Sequence, residues 1–402
     1  MAAQILELHN KSYLLNKILK QLKTIKMGRD PLSSTAYERV YDEAKKSGST
    51  TSKGEQRHKE GKGLHELVDP KGFGIIRRAL TWYEPKELLF TLLRGVAMLE
   101  ETRLDTTGSM GRNVDVAMEV LPKTYDLLKK IPNAVLGRYD VQMITSIFGD
   151  VVDDYVLCRS QAEMDERIAE QLTLMVPEGG GGDGTEDPQY GIFGGAYLTQ
   201  ADINRYGLKY YDFTVTDARG RQKLSSETLK RVFGETVFEK VKENGFKVKE
   251  NALPNLTQIV KDLLNNAHAF VLLVGGNSGV RSFWEGVYSK ERVITLPRTE
   301  LLPEVKAAII GLTEGTLTLD TLEDFLIKEA KCSKEDAKSI KRAVAGIPIG
   351  AQMEAENFDK IPLAGTLFKE KRDLWPMDES EVIEEKVTTK KSEEKGKEKM
   401  WA

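Results

Sequence analysis

Leu104-Asp-Thr-Thr-Gly-Ser-Met110 places one carboxylate and two hydroxyls, Asp105, Thr107 and Ser109, at alternate positions. The run before it, Met98 to Leu104, reads as a strand. After it, Val114, Ala117, Met118, Leu121, Tyr125 and Leu128 recur at helical spacing. A strand that turns directly into a helix is the repeating unit of an α/β fold. Hard oxygen donors gathered at such a turn suit Mg2+ better than zinc or a soft metal. The turn alone does not decide the matter. Thr107 and Ser109 would equally serve to cap the following helix, with Asp105 favoured at the positive end of its dipole.

Two later segments supply partners for the turn. Glu178-Gly-Gly-Gly-Gly-Asp-Gly-Thr-Glu-Asp-Pro188 is a glycine-rich loop presenting Thr185, with Asp183 as a competitor. Tyr210-Tyr-Asp-Phe-Thr-Val-Thr-Asp217 is a β-branched and aromatic strand with a carboxylate at its end. Open α/β sheets bind ligands beyond the carboxyl ends of their strands, so Asp105 and Asp217 are expected to meet there.

These three segments in this order resemble the von Willebrand factor A (VWA) domain and its metal-ion-dependent adhesion site, over roughly residues 94–312. The resemblance implies a Rossmann-like, doubly wound, mainly parallel sheet. It also implies Asp105, Thr107, Ser109, Thr185 and Asp217 as ligands of Mg2+, or of Mn2+ or Ca2+. In such a site the last ligand is often an acidic side chain of a partner protein, so the ion bridges two proteins and catalyses nothing. Relatives of this kind often work beside AAA ATPases, which by analogy makes such an ATPase a candidate partner. The chain departs from the pattern in two places. Glu100, Glu101 and Arg103 interrupt the strand before Asp105, where their burial is costly unless they are paired. Asp217 is followed by Ala218-Arg219-Gly220 where a glycine is usual.

Other chemistries are poorly served. Gly179, Gly181 and Gly184 have dinucleotide-fingerprint spacing but follow a helix, and no Gly-x-x-x-x-Gly-Lys-Ser/Thr loop occurs. His9, His58, His65 and His268 are scattered without zinc spacing and read as structural or solvated. A phosphohydrolase using Asp105 as nucleophile lacks the second aspartate two residues on. Asp150, Asp153 and Asp154 read as a solvated acidic turn. The expectation is a binding protein, not an enzyme. The alternative is an RNA-binding, Ro-like ribonucleoprotein component, but the region before Gly95 is short for a helical ring and the chain is not basic.

A net charge of -3 over 59 basic and 62 acidic side chains gives no general attraction to nucleic acid or acidic membranes. The first residues lack the apolar run of a signal peptide, and Cys158 and Cys332 form no disulfide framework. A cytoplasmic protein is expected, without a membrane span.

Four regions are expected. Residues 1–93 hold an amphipathic helix over Ile5–Ile25 and a solvated basic loop at Lys45–Lys62. Residues 94–312 form the VWA-like body, whose helices include one stretch through Leu229, Val232, Phe233, Val237 and Val241. Residues 313–350 form a helical hairpin. Residues 351–402 are an irregular segment and a charged, unstructured tail.

Overall fold

The computed structural model describes residues 53–72, 80–84, 89–121, 123–131, 138–163, 167–181, 184–363, 365–370 and 382–384. The strands are β1 (Leu80–Glu84), β2 (Leu89–Arg94), β3 (Ala97–Asp105), β4 (Asp140–Phe148), β5 (Leu157–Arg159), β6 (Thr185–Glu186), β7 (Tyr210–Thr216), β8 (Arg219–Gly220), β9 (Ala267–Leu273), β10 (Val293–Thr295), β11 (Leu367–Phe368) and β12 (Val382–Glu384).

Six of them form the central sheet, in the order β10-β9-β7-β3-β4-β5. All neighbours run parallel except β5, which pairs antiparallel with β4 at the edge. Counted in chain order these strands lie 3-2-1-4-5-6 across the sheet, the order of a doubly wound α/β fold. The fold class expected from the sequence is therefore the one found. Strands buried on both faces read as continuous apolar runs. The β9 sequence Ala-His-Ala-Phe-Val-Leu-Leu is such a run, buried at every position.

The interrupted strand β3 is resolved by pairing. Glu100, Glu101 and Arg103 are fully buried. Arg103 Nη1 and Nη2 donate to the two carboxylate oxygens of Asp212 on β7, each at 2.5 Å. Arg159 Nε and Nη2 donate to Glu101 at 3.1 and 3.0 Å. Lys306 Nζ lies 2.9 Å from Glu100 Oε1, with neither side chain exposed, and joins helix Leu302–Thr313 to the sheet. Each charge thus has an opposite charge in contact, the condition under which burial is tolerated.

Several boundaries differ from the sequence expectation. β1 and β2, from the region up to residue 94, form a second sheet with β11 and β12, in the order β11-β2-β1-β12. β12 falls in the tail expected to be unstructured. Its Val382-Ile383 is a two-residue β-branched signal inside a Glu- and Lys-rich stretch, which averaging over composition hides. Part of the expected solvated loop is a helix, Lys53–Lys59. Gly54 makes it possible: its N–H donates to Thr173 O at 3.0 Å, and a Cβ there would come within 2.3 Å of the Leu174 and Met175 carbonyl oxygens. The stretch expected as one helix through Leu229–Val241 is two, Ser226–Phe233 and Val237–Glu243, because the chain turns at Gly234 with φ +90°. The helical hairpin is present as Leu319–Lys328 and Lys334–Ala343. The irregular segment that follows lies across the body: Gln352 is buried and accepts from Lys209 N, while its amide donates to Lys209 O. The expected helix at Ile5–Ile25 and the end of the tail lie outside the described residues. No described helix is long and apolar enough to cross a membrane.

Candidate cation site at the switch point

The order of the sheet reverses between β3 and β7, so the crevice beyond their carboxyl ends is where this topology places a ligand. β3 ends at Asp105 and β7 at Thr216, with Asp217 next. The two carboxylates, distant in sequence, stand on adjacent strands at the same end of the sheet.

Hydrogen bonds join the cluster. Thr107 donates to Asp105 Oδ1 from its backbone N–H at 2.9 Å and from its hydroxyl at 2.6 Å. Thr216 Oγ1 donates to Asp105 Oδ2 at 2.6 Å and accepts from Ala218 N at 3.1 Å. Ser109 Oγ lies 3.4 Å from Thr107 Oγ1 and donates to Asp217 Oδ1 at 2.7 Å. The Asp217 loop is pinned from behind by Trp284 Nε1, which donates to Ala218 O at 2.8 Å.

Capping does not explain the hydroxyls. The helix after the turn, Arg112–Val120, has Gly111 at its N-cap and no side-chain cap hydrogen bond. Thr107 and Ser109 are turned toward carboxylates instead.

Of the five residues named from the sequence, Asp105, Thr107, Ser109 and Asp217 are thus drawn into one network. Thr185 sits on β6 beside it, paired in register with Arg219 of β8. Its neighbour Glu186 packs its carboxyl against Gly181, next to Gly180, whose carbonyl accepts from Gly108 N of the Asp105 turn. Sequence reasoning missed both Glu186 and Thr216. Thr216 had a visible signal, a hydroxyl directly before a strand-ending aspartate. Glu186 was overshadowed by the threonine before it. Asp183 lies outside the described residues.

The surrounding loops are tied together by Arg221. Its Nη1 donates to Asp187 Oδ2 at 2.7 Å and its Nη2 to Asp150 Oδ2 at 3.0 Å. Asp187 also accepts from Val151 N, and Asp150 is buried. The acidic turn is therefore partly a buried brace and not a wholly solvated loop. The glycine loop closes on the Asp105 turn through Gly108 N, which donates to Gly180 O at 3.0 Å.

Burial acts on the anions of the site. Burial pushes the Asp105 carboxyl up to about 6, against the pull of its donors Thr107 and Thr216. Burial likewise pushes Glu186 up to about 7, with the Asp105 and Asp150 charges adding to the shift. Asp105 accepts only from neutral donors among its hydrogen bonds. Carboxylates and hydroxyls together make a donor set that fits a hard divalent cation. A separate group, His58, Asp154 and Glu178, also gathers possible ligand atoms. His58 Nε2 lies 3.4 Å from Asp154 Oδ2, so His58 is more than a solvated residue. Both Glu178 oxygens already accept backbone N–H groups, from Asp154 and Tyr155.

The fold and the cluster define a doubly wound α/β protein with an oxygen-rich cluster at its topological switch point. No protein-family model matches the chain, and no curated protein matches it in sequence. Solved structures with partial likeness include proximal thread matrix protein 1 from the mussel byssus, at 12% identity over 53% of this chain and 46% of that one, TM-score 0.31. The same mussel protein with a zinc-occupied MIDAS motif is 13% identical over 53% and 47%, TM-score 0.31. The pilus adhesin SpaC from Lactobacillus rhamnosus GG, in an open conformation, is 12% identical over 55% and 31%, TM-score 0.34. The likeness thus spans less than half of each of those chains. The fold assignment rests on strand order and register.

Proposed function

We propose that this chain is a VWA-like protein-binding module that works through a divalent ion held at the Asp105–Asp217 cluster. Asp105, Thr107, Ser109 and Asp217, with the loop that carries Thr185 and Glu186, would hold the ion. Two aspartates balance its charge, hydroxyls add neutral oxygens, and exposed Ser109 marks the open side. When bound, the ion supplies an electrophilic point that accepts an acidic side chain of a partner protein. Thr216, Trp284 and Arg221 orient the loops around it.

The observation that carries this reading is the Ser109–Asp217 hydrogen bond across the switch point. It keeps the ends of β3 and β7 together with their oxygens facing one crevice. The role in this reading is binding, with the hydroxyls and carboxylates serving as ligands of the ion. The ion is Mg2+, or Mn2+ or Ca2+, and the setting is a cytoplasmic assembly, with an AAA ATPase as a candidate partner by analogy.

The test is recovery of partners from lysate by the full chain with Mg2+ and with EDTA. Protein partners released by chelation are expected. A partner set unchanged by EDTA would contradict the reading, and copurifying RNA in its place would favour a ribonucleoprotein role.

A further inference from the structure

We propose that Glu186, and not Thr185, is the ligand the glycine-rich loop contributes to the cation, so that three carboxylates surround the ion. The inference rests on the metal-binding reading of the cluster and names a ligand that the sequence pattern did not.

The position of Glu186 is fixed by backbone on two sides. β6 pairs parallel with β8, Thr185 opposite Arg219 and Glu186 opposite Gly220, and Arg221 N donates to Glu186 O at 3.0 Å. Side chains of consecutive strand residues point to opposite faces. Glu186 packs against Gly181, on the side where Gly180 accepts from Gly108 N of the Asp105 turn, and Thr185 takes the opposite face of the strand. The glycine loop then folds over the Glu186 carboxyl. A Cβ on Gly181 would lie 3.0 and 3.1 Å from its two oxygens, and Gly181 has φ +96°, so the loop needs glycine there for both reasons.

Under that loop Glu186 as a residue is 3% exposed, and its Oε2 has no hydrogen-bond partner among the described residues. Arg221, whose charge also reaches Glu186, donates hydrogen bonds to Asp150 and Asp187. A buried carboxylate oxygen without a donor is costly unless a cation or a donor meets it. Asp105 and Thr107 lie on the same side, so a cation there meets Glu186 and Asp105 together. Ligand charge count sets the affinity of oxygen-ligated sites. With three carboxylates, the free chain holds its ion before any partner arrives.

The test is Mn2+ titration of the full chain by calorimetry, for wild type, Glu186→Gln, Glu186→Ala, Thr185→Ala and Asp217→Ala, each checked for folding by a thermal melt in EDTA. Glu186→Gln keeps the shape of the side chain and removes its charge. It is expected to weaken Mn2+ binding by about tenfold or more, with Thr185→Ala within about twofold of wild type. If Asp217→Ala abolishes binding while Glu186→Gln leaves it within twofold, the cation site stands and Glu186 is not its ligand. If wild type takes up no Mn2+, the metal reading itself fails and this inference falls with it.

Discussion

Ser109 Oγ donates to Asp217 Oδ1 at 2.7 Å, joining the turn after β3 to the loop after β7 at the point where the sheet order reverses. Two strands that follow each other in space but not in sequence are thereby fastened at their ligand-binding ends. Ser109→Ala removes this fastening and one oxygen. It is expected to lower Mn2+ affinity by about tenfold while costing only about 1 kcal/mol of stability, since one hydrogen bond at an exposed hydroxyl contributes little. Calorimetry and urea unfolding in EDTA separate the two effects.

An ion that binds the folded chain alone stabilises it by mass action. At a hundred times Kd the gain is about 2.7 kcal/mol, a rise of several degrees in melting temperature for a body of this size. Addition of Mg2+ or Mn2+ is expected to raise the midpoint, EDTA to reverse it, and Asp105→Ala to abolish the response. Differential scanning fluorimetry is sufficient; equal shifts in wild type and Asp105→Ala would place the ion elsewhere.

Lys306 and Glu100 form an ion pair with neither side chain exposed. Lys306→Ala strands a buried carboxylate and is expected to cost about 3–5 kcal/mol. Glu100→Leu combined with Lys306→Met replaces the pair by apolar groups and is expected to be neutral or stabilising. Urea midpoints of the single and double variants decide this, and equal losses in both would show that the pair is net stabilising.

Glu314 accepts from Tyr211 at 2.7 Å and Tyr139 at 3.1 Å, and burial pushes it up to about 7 from an ordinary 4.5. The folded state therefore holds a proton that the unfolded state releases between those values. Stability is fullest at or below about pH 4.5 with respect to this group, and falls as pH rises toward 7. Glu314→Gln is expected to flatten that part of the pH dependence. Melting temperatures of both proteins from pH 5 to 8 test it, and identical slopes would contradict it.

The central sheet was legible because its strands are buried on both faces and so carry unbroken apolar runs, as in Ala267–Leu273. The Asp105 and Asp217 ends were legible because the chemistry sits at strand termini. The second sheet was not: β11 and β12 are two and three residues long, and such pairing is set by distant partners rather than by local pattern. The break between the helices Ser226–Phe233 and Val237–Glu243 turned on one glycine, Gly234, inside a continuous helical rhythm. Gly54 escaped notice because its role is to admit a neighbouring backbone, which leaves no trace in hydrophobic spacing. Thr185 matches the hydroxyl of a metal-binding pattern, whereas its strand neighbour Glu186 is the residue packed against Gly181 beside the Asp105 turn.

Anomalous diffraction from crystals of the full chain soaked in Mn2+ locates the ion directly. The account predicts a peak in the crevice between β3 and β7, with Asp105, Ser109 and Asp217 oxygens around it, directly or through water. A peak only at His58, Asp154 and Glu178, or none at saturating Mn2+, would contradict it.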